Sequence, residues 1–188
     1  MEKLQTKYLG LTLSSPLIVS SSLLTSTAGQ LKEAEDSGAG AVVLKSLFEE
    51  QITSQVHSLS SAHEYPEAAD YIANYVRSNS VDNYLDLIRK AKKNLKIPVI
   101  PSVNCYTAEG WTGFARKMED AGADALEVNV FFLPVDRKKT SAESEKLYLD
   151  LIEKLRRSIT IPISLKIGFR FSNILYMIDQ FYMRGVAG

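Results

Sequence analysis

Gly122-Ala123-Asp124-Ala125-Leu126-Glu127-Val128-Asn129 reads as a helix stop, a short buried strand and a polar terminator in succession. Glycine accepts the left-handed backbone that ends helices. The mostly apolar run from Ala125 to Val128 suits a strand covered on both faces, and Asn129 stands at its carboxyl end. The same grammar recurs. Lys45 follows Ala41-Val42-Val43-Leu44, Asn104 follows Ile97-Pro98-Val99-Ile100-Pro101-Ser102-Val103, and Lys166 follows Ile161-Pro162-Ile163-Ser164-Leu165. Polar groups at successive strand ends would share one rim of a parallel sheet. In a parallel α/β barrel that rim carries the chemistry, because the loops leaving the strands converge there.

An internal echo supports this order. Glu35-Asp36-Ser37-Gly38-Ala39-Gly40-Ala41 recurs as Glu119-Asp120-Ala121-Gly122-Ala123-Asp124-Ala125, and Arg184-Gly185-Val186-Ala187-Gly188 is a shorter third copy. Each copy marks a helix-to-strand joint. Ile97-Pro98-Val99 recurs as Ile161-Pro162-Ile163, placing proline at the first residues of a strand, where its missing N–H costs no ladder bond.

Helical periodicity predicts helices near 29–37, 66–77, 81–94, 108–121, 141–158 and 172–184, with Ser141, Thr107 and Thr27 at helix starts. Strands are expected near 16–20, 41–45, 98–103, 125–129 and 162–166, with a sixth beginning at the terminus. Alternating strands and helices indicate parallel βα units. The expected fold is therefore α/β, a parallel (β/α)8 TIM barrel of which this chain covers about the first five strands. Such barrels take roughly 250 residues. Residues 1–188 read as a single barrel domain that continues past Gly188.

Composition narrows the function classes. The 188 residues are 45% apolar and 23% charged, as in an ordinary globular chain able to bury a core. Lys plus Arg (22) balance Asp plus Glu (22) without a dense basic cluster, which argues against nucleic acid and anionic membranes as partners. No stretch approaches the ~18 apolar residues of a spanning helix, and the start lacks a signal-peptide core, so a cytoplasmic location is expected. Cys105 is the sole cysteine, which excludes an internal disulfide and a cysteine-cluster metal site. Rossmann, Walker and His-Glu-x-x-His motifs are absent.

The ordered set of segments resembles the dihydroorotate dehydrogenase family. Thr6-Lys7-Tyr8-Leu9-Gly10-Leu11-Thr12-Leu13-Ser14-Ser15-Pro16-Leu17-Ile18-Val19-Ser20-Ser21 is similar to the family's opening, in which a hairpin, here within residues 1–15, covers the barrel bottom. Gly38 through Ser46, Ile97 through Asn104, Gly122 through Asn129 and Ile161 through Lys166 resemble its second to fifth strands. The resemblance implies an FMN-dependent oxidoreductase passing a hydride from a dihydropyrimidine-like substrate to flavin, as in pyrimidine biosynthesis. It also implies roles. Lys166 would stabilise the reduced flavin, Asn104 and Asn129 would bond its edge, Lys45 and Ser46 would sit near flavin and substrate, and Ser20 and Ser21 would line the ring. The flavin phosphate would be held after the seventh and eighth strands, beyond Gly188. A second copy of the chain or a redox partner subunit is the expected protein partner.

One departure bears on mechanism. Three residues beyond the strand-end Asn the family carries a Cys or Ser base, and here Phe132 stands there. A phenyl ring accepts no proton. The segment after the second strand also departs from the family's Asn-rich pattern and holds His57 and His63, the only histidines. His57, His63 and Cys105 are the candidates for the base. Trp111 reads as packing, and Asp136-Arg137-Lys138-Lys139 as a solvated loop. Two alternatives stand beside the redox reading: an aldolase-type lyase forming a Schiff base at Lys45 or Lys166, and a catalytically inactive flavin-binding barrel.

Overall fold

The computed structural model describes residues 4–50, 66–105, 108–131 and 135–188, and of 66–79 and 108–109 the backbone only. The chain opens with an antiparallel hairpin, β1 (Thr6–Tyr8) and β2 (Leu11–Leu13), whose turn holds Leu9 at φ 54°. Next come β3 (Ile18–Val19), a 3-10 turn at Leu23–Thr25, α1 (Ala28–Asp36), β4 (Ala41–Val43) and β5 (Leu47–Phe48). Then follow α2 (Pro66–Asn94), β6 (Val99–Ile100), β7 (Ser102–Asn104) and α3 (Ala108–Asp120). The last elements are β8 (Leu126–Asn129), α4 (Ser141–Ser158), β9 (Ile163–Lys166) and α5 (Ile174–Met183).

The strands after the hairpin pair in parallel, in the orders β3-β4-β6 and β5-β7-β8-β9. β4 runs on into β5, and β6 into β7 across Pro101, so the described strands form five successive lines of a βα pattern. A sixth line begins where Ala187 N–H donates to Ile163 O (2.9 Å) and Leu165 N–H to Gly188 O (2.9 Å). The fold is α/β with parallel sheets, a partial TIM barrel, as the alternation of elements implies.

Side-chain alternation gives the sheet two faces. Val42, Leu44, Val99, Val103, Leu126, Val128 and Ile163 point outward into the layer shared with the helices, alongside Leu85, Ile88, Met118, Ile152 and Leu155. Ala41, Val43, Ile100 and Ala125 point inward, where Leu9 and Leu13 of the hairpin cover them. Tyr8 reaches further up the interior, its hydroxyl 3.0 Å from Ser164 Oγ.

The echo proves structural. Gly38, Gly122 and Gly185 all take positive φ (93°, 95° and 83°) just past their helices, the conformation that releases a helix into a strand. Glu35 Oε1 accepts the N–H groups of Lys96 and Ile97 at 2.6 and 3.2 Å, and Glu119 Oε1 likewise accepts those of Thr160 and Ile161 at 2.8 and 3.1 Å. Each glutamate ties the end of its helix to the strand entered through Ile-Pro. The copies differ at Gly40 and Asp124 for opposite reasons. A Cβ on Gly40 would lie 1.9 Å from Ser15 O, whereas Asp124 Oδ2 accepts Val99 N–H at 2.8 Å and pairs with Lys92 at 2.6 Å.

Three sequence expectations change. The helices expected at 66–77 and 81–94 are one 29-residue helix, because the intervening Ser78-Asn79-Ser80 contains no glycine or proline and costs only tenths of a kcal/mol per residue. The α4 cap is Thr140 rather than Ser141; its hydroxyl accepts Glu143 N–H while Glu143 accepts Thr140 N–H, a capping box. The strand expected at 41–45 is interrupted. Between the pairs Val43↔Ile100 and Leu47↔Val103 the β4–β5 line advances one residue more than β6–β7, which is a bulge. Lys45 sits in it, its N–H donating to Thr25 O at 3.2 Å.

Candidate active site

Register decides which strand-end groups meet. Leu47 faces Val103 and Phe48 faces Asn104 between β5 and β7, Ser102 faces Glu127 between β7 and β8, and Asn129 faces Lys166 between β8 and β9. The inward positions therefore form two polar layers. The lower holds Ser46, Ser102, Glu127 and Ser164; the upper, at the carboxyl rim, holds Asn104, Asn129 and Lys166. Asn104, Asn129 and Lys166 thus stand side by side on consecutive strands, above an interior otherwise closed by the hairpin.

The lower layer is wired. Ser102 is fully buried and its hydroxyl donates to Glu127 Oε1 at 2.7 Å. That spends its only proton, so in the 2.7 Å contact with Ser46 Oγ the donor is Ser46. By the same count Ser21 donates in the 3.0 Å contact with Ser46 Oγ, while Ser46 N–H donates to Ser21 Oγ at 2.9 Å. The hydroxyl protons of Ser21, Ser46 and Ser102 all point toward the Glu127 carboxylate. Lys166 Nζ lies 4.0 Å from the same Oε1, its side chain half-exposed and that of Glu127 largely buried (50% and 13%).

Tyr84 of α2 locks Ser102 from outside. Its hydroxyl accepts Ser102 N–H at 3.0 Å and donates to Ser102 O at 3.1 Å. Burial, reinforced by the Glu127 charge and only partly offset by the bond to Ser102, pushes the phenol well above its ordinary value, so it stays protonated and keeps both bonds.

The other expected residues divide. Ser21 and Ser46 enter the hydroxyl chain, and Ser20 lies exposed at the end of β3. Lys45 is half-buried in the bulge. Asn104 Nδ2 donates to Asn129 O at 2.7 Å, tying together the ends of β7 and β8. Cys105 needs correction as a base. It points to the outer layer, and burial, then the charge of Glu49, push its thiol far above the ordinary range, so it stays a neutral packing group. Trp111 is buried in the same layer, and residues 136–139 are exposed, both as expected. His57, His63 and Phe132 lie outside the described residues. The Schiff-base alternative needs a desolvated lysine, and Lys166 is half-exposed beside a carboxylate.

Glu127, Ser102 and Tyr84 escaped the sequence reading. The available signal was the alternation Ser102-x-Asn104, Glu127-x-Asn129 and Ser164-x-Lys166, three polar pairs at period two inside apolar strands. Beside the rim, a cavity of about 570 Å³ opens between the start of α4 and the chain after β8 and β9, lined in part by Phe131, Lys139, Tyr148, Arg170 and Phe171. Among the described residues no cluster of His, Cys, Asp or Glu could hold a metal ion, and no helix is long and apolar enough to cross a membrane.

Comparison with known proteins identifies this arrangement. The family model described as dihydroorotate dehydrogenase matches residues 3–175. The chain belongs to the dihydroorotate dehydrogenase family. Among its curated relatives is a dihydroorotate dehydrogenase B (NAD(+)) catalytic subunit of Thermoplasma acidophilum, 30% identical over 178 residues, covering 93% of this chain and 57% of the relative. The Thermoplasma volcanium protein of the same name is 30% identical over 183 residues, with the same coverage. The chain therefore spans a little over half the length of these relatives. A solved phosphonopyruvate hydrolase superposes with a TM-score of 0.53 at 14% identity, covering 90% of this chain and 55% of that one, a likeness of fold alone. Within the dihydroorotate dehydrogenase family, the strand-end Asn104, Asn129 and Lys166 are thus set on a parallel βα sheet of the expected kind.

Proposed function

We propose that the chain is part of an FMN-dependent oxidoreductase that acts on a dihydropyrimidine-like substrate. The observation that supports this most directly is the alignment of Asn104, Asn129 and Lys166 on three consecutive strand ends, given the family membership. The donor set suits a flavin: a half-exposed ammonium at the rim, two primary amides at the same level, and hydroxyls at the ends of the first two strand lines. Lys166, Asn104, Asn129, Lys45 and Ser46 would hold the group, with Ser20 and Ser21 lining it. When bound, FMN supplies the two-electron acceptor for hydride.

The protein's own contribution is electrostatic and positional. The Lys166 ammonium stabilises negative charge developing at the rim, and the fixed hydroxyl chain beneath keeps the rim from rearranging as that charge appears. Asn104, anchored on Asn129 O, orients the rim between β7 and β8. Phe132 supplies no proton acceptor at the family's usual place, so we assign the base to His57 or His63, whose segment follows the second strand line.

We further propose that residues 1–188 form one domain of a longer barrel, with the hairpin of residues 1–15 closing its lower end. The relatives carry the name catalytic subunit, which supports a separate redox partner subunit for this chain, and we place the assembly in the cytoplasm. Purification of the intact protein tests the proposal. Yellow protein that releases FMN and oxidises a dihydropyrimidine is the expected result. Colourless protein that takes up no added FMN would contradict it.

A further inference from the structure

The hydroxyl chain has a direction, and the direction has an end point. Ser21, Ser46 and Ser102 lie on three neighbouring strand lines, and each can satisfy its contacts only by donating toward Glu127. Proton counting forces this order because Glu127, as a carboxylate, only accepts. Glu127 Oε1 therefore receives a bond from a fully buried hydroxyl whose own backbone N–H and C=O are both held by Tyr84. Among the described residues the cation beside Oε1 is Lys166 Nζ, 4.0 Å away, and a long flexible lysine side chain needs fixing at the rim.

From this geometry we propose that Glu127 is the positioning residue for Lys166. Its carboxylate, aimed by Ser102, fixes the direction of the ammonium at the rim, and the Ser21–Ser46–Ser102 chain transmits that alignment across three strand lines. The cofactor role of Lys166 rests on the function proposed above, but the coupling between Glu127 and Lys166 does not. No electron or proton transfer is involved; the effect is electrostatic and geometric.

Two readouts on the intact protein separate these points. In the first, lysines are acylated with a soluble succinimidyl acetate without flavin, and the rate at each site is read by peptide mass spectrometry. An amine engaged by a carboxylate is less often free to meet the reagent. Glu127→Gln should accelerate modification of Lys166 by about threefold, the size expected of a half-exposed pair, and leave Lys7 and Lys154 unchanged. Ser102→Ala should shift Lys166 in the same direction by a smaller factor, and Glu127→Asp should restore part of the protection. Unchanged Lys166 labelling in folded Glu127→Gln would overturn the proposal; if that variant does not fold, unchanged labelling in Ser102→Ala would do so.

In the second readout, FMN affinity is measured by fluorescence quenching for Glu127→Gln, Lys166→Met and the double variant. If Glu127 acts through Lys166, the double variant binds no more weakly than Lys166→Met alone. Multiplying losses would mean that Glu127 acts elsewhere and would overturn the proposal. Absence of FMN binding in every form would count against the flavin function, and the labelling result would still decide the role of Glu127.

Discussion

Asn129 and Lys166 are register partners on adjacent parallel strands, and Asn104 Nδ2 donates to Asn129 O at 2.7 Å from the strand on the other side. Three strand ends are thereby locked into one level before any ligand arrives. Such preorganisation favours charge stabilisation, because the donors need not reorient as charge develops. It also makes Asn129 the centre of the rim. Replacing Asn104 by Ala should loosen the ends of β7 and β8 and weaken FMN binding by roughly tenfold, the effect of one hydrogen bond of about 1 to 1.5 kcal/mol. Fluorescence titration measures it.

Gly40 should be intolerant of any side chain. The methyl of Gly40→Ala would lie 1.9 Å from the backbone carbonyl of Ser15, and a backbone atom beside β3 cannot swing away as a side-chain tip could. The Gly40 N–H bond to Leu17 O at 2.7 Å would be strained in the same movement. Urea unfolding should report a loss of about 3 kcal/mol.

The Tyr84 hydroxyl bonds both backbone groups of fully buried Ser102. Tyr84→Phe keeps the ring and strands both groups, so stability should fall by about 2 kcal/mol. Amide exchange at Ser102 should accelerate in the same variant. Because burial first, and the Glu127 charge after it, raise the phenol above its ordinary 10.0, the contribution of Tyr84 to stability should be constant below about pH 9 and decline as pH rises past the unfolded value.

Glu119 makes acid stability testable. Burial alone would push its carboxyl up; bonds from the Thr160 hydroxyl and N–H and the Ile161 N–H, with the Arg156 charge, outweigh that and carry it below the ordinary 4.5. Glu35 is also lowered, chiefly by its bond to Lys32, against burial and with help from Lys96 N–H and Ile97 N–H. A carboxyl depressed in the folded state contributes stability that is present above its unfolded value and lost as pH falls through the folded one. Unfolding midpoints should therefore decline as pH drops below about 4.5. Glu119→Gln should be less stable at pH 7 by about 1 kcal/mol after solvent screening and show a shallower acid decline.

The order of elements was legible because burial leaves a period in the sequence. Apolar runs of strand length, helix faces such as Val81, Leu85 and Ile88, and the repeated Glu-Asp-x-Gly-Ala all survive without coordinates. The rim was legible because Asn104, Asn129 and Lys166 end such runs. What stayed hidden depends on neighbours far along the chain. The bulge at Lys45 exists only relative to β6 and β7, and the Tyr84 bonds join a helix to a strand it merely precedes. Glu127 reads as an ordinary polar residue inside an apolar run until register sets it beside Ser102 and Lys166. Thr140 displaced Ser141 as a cap by a single residue, a choice made by the reach of Glu143.

The rim assignment is tested most directly by following backbone amides and Asn side-chain amides by NMR while FMN is added to the intact protein. The largest shifts should fall on Asn104, Asn129 and Lys166 and their neighbours along β7, β8 and β9, and Lys166→Met should reduce them at equal FMN. Shifts centred on the outer helices or the hairpin, or a spectrum unchanged at saturating FMN, would contradict a flavin site at these strand ends.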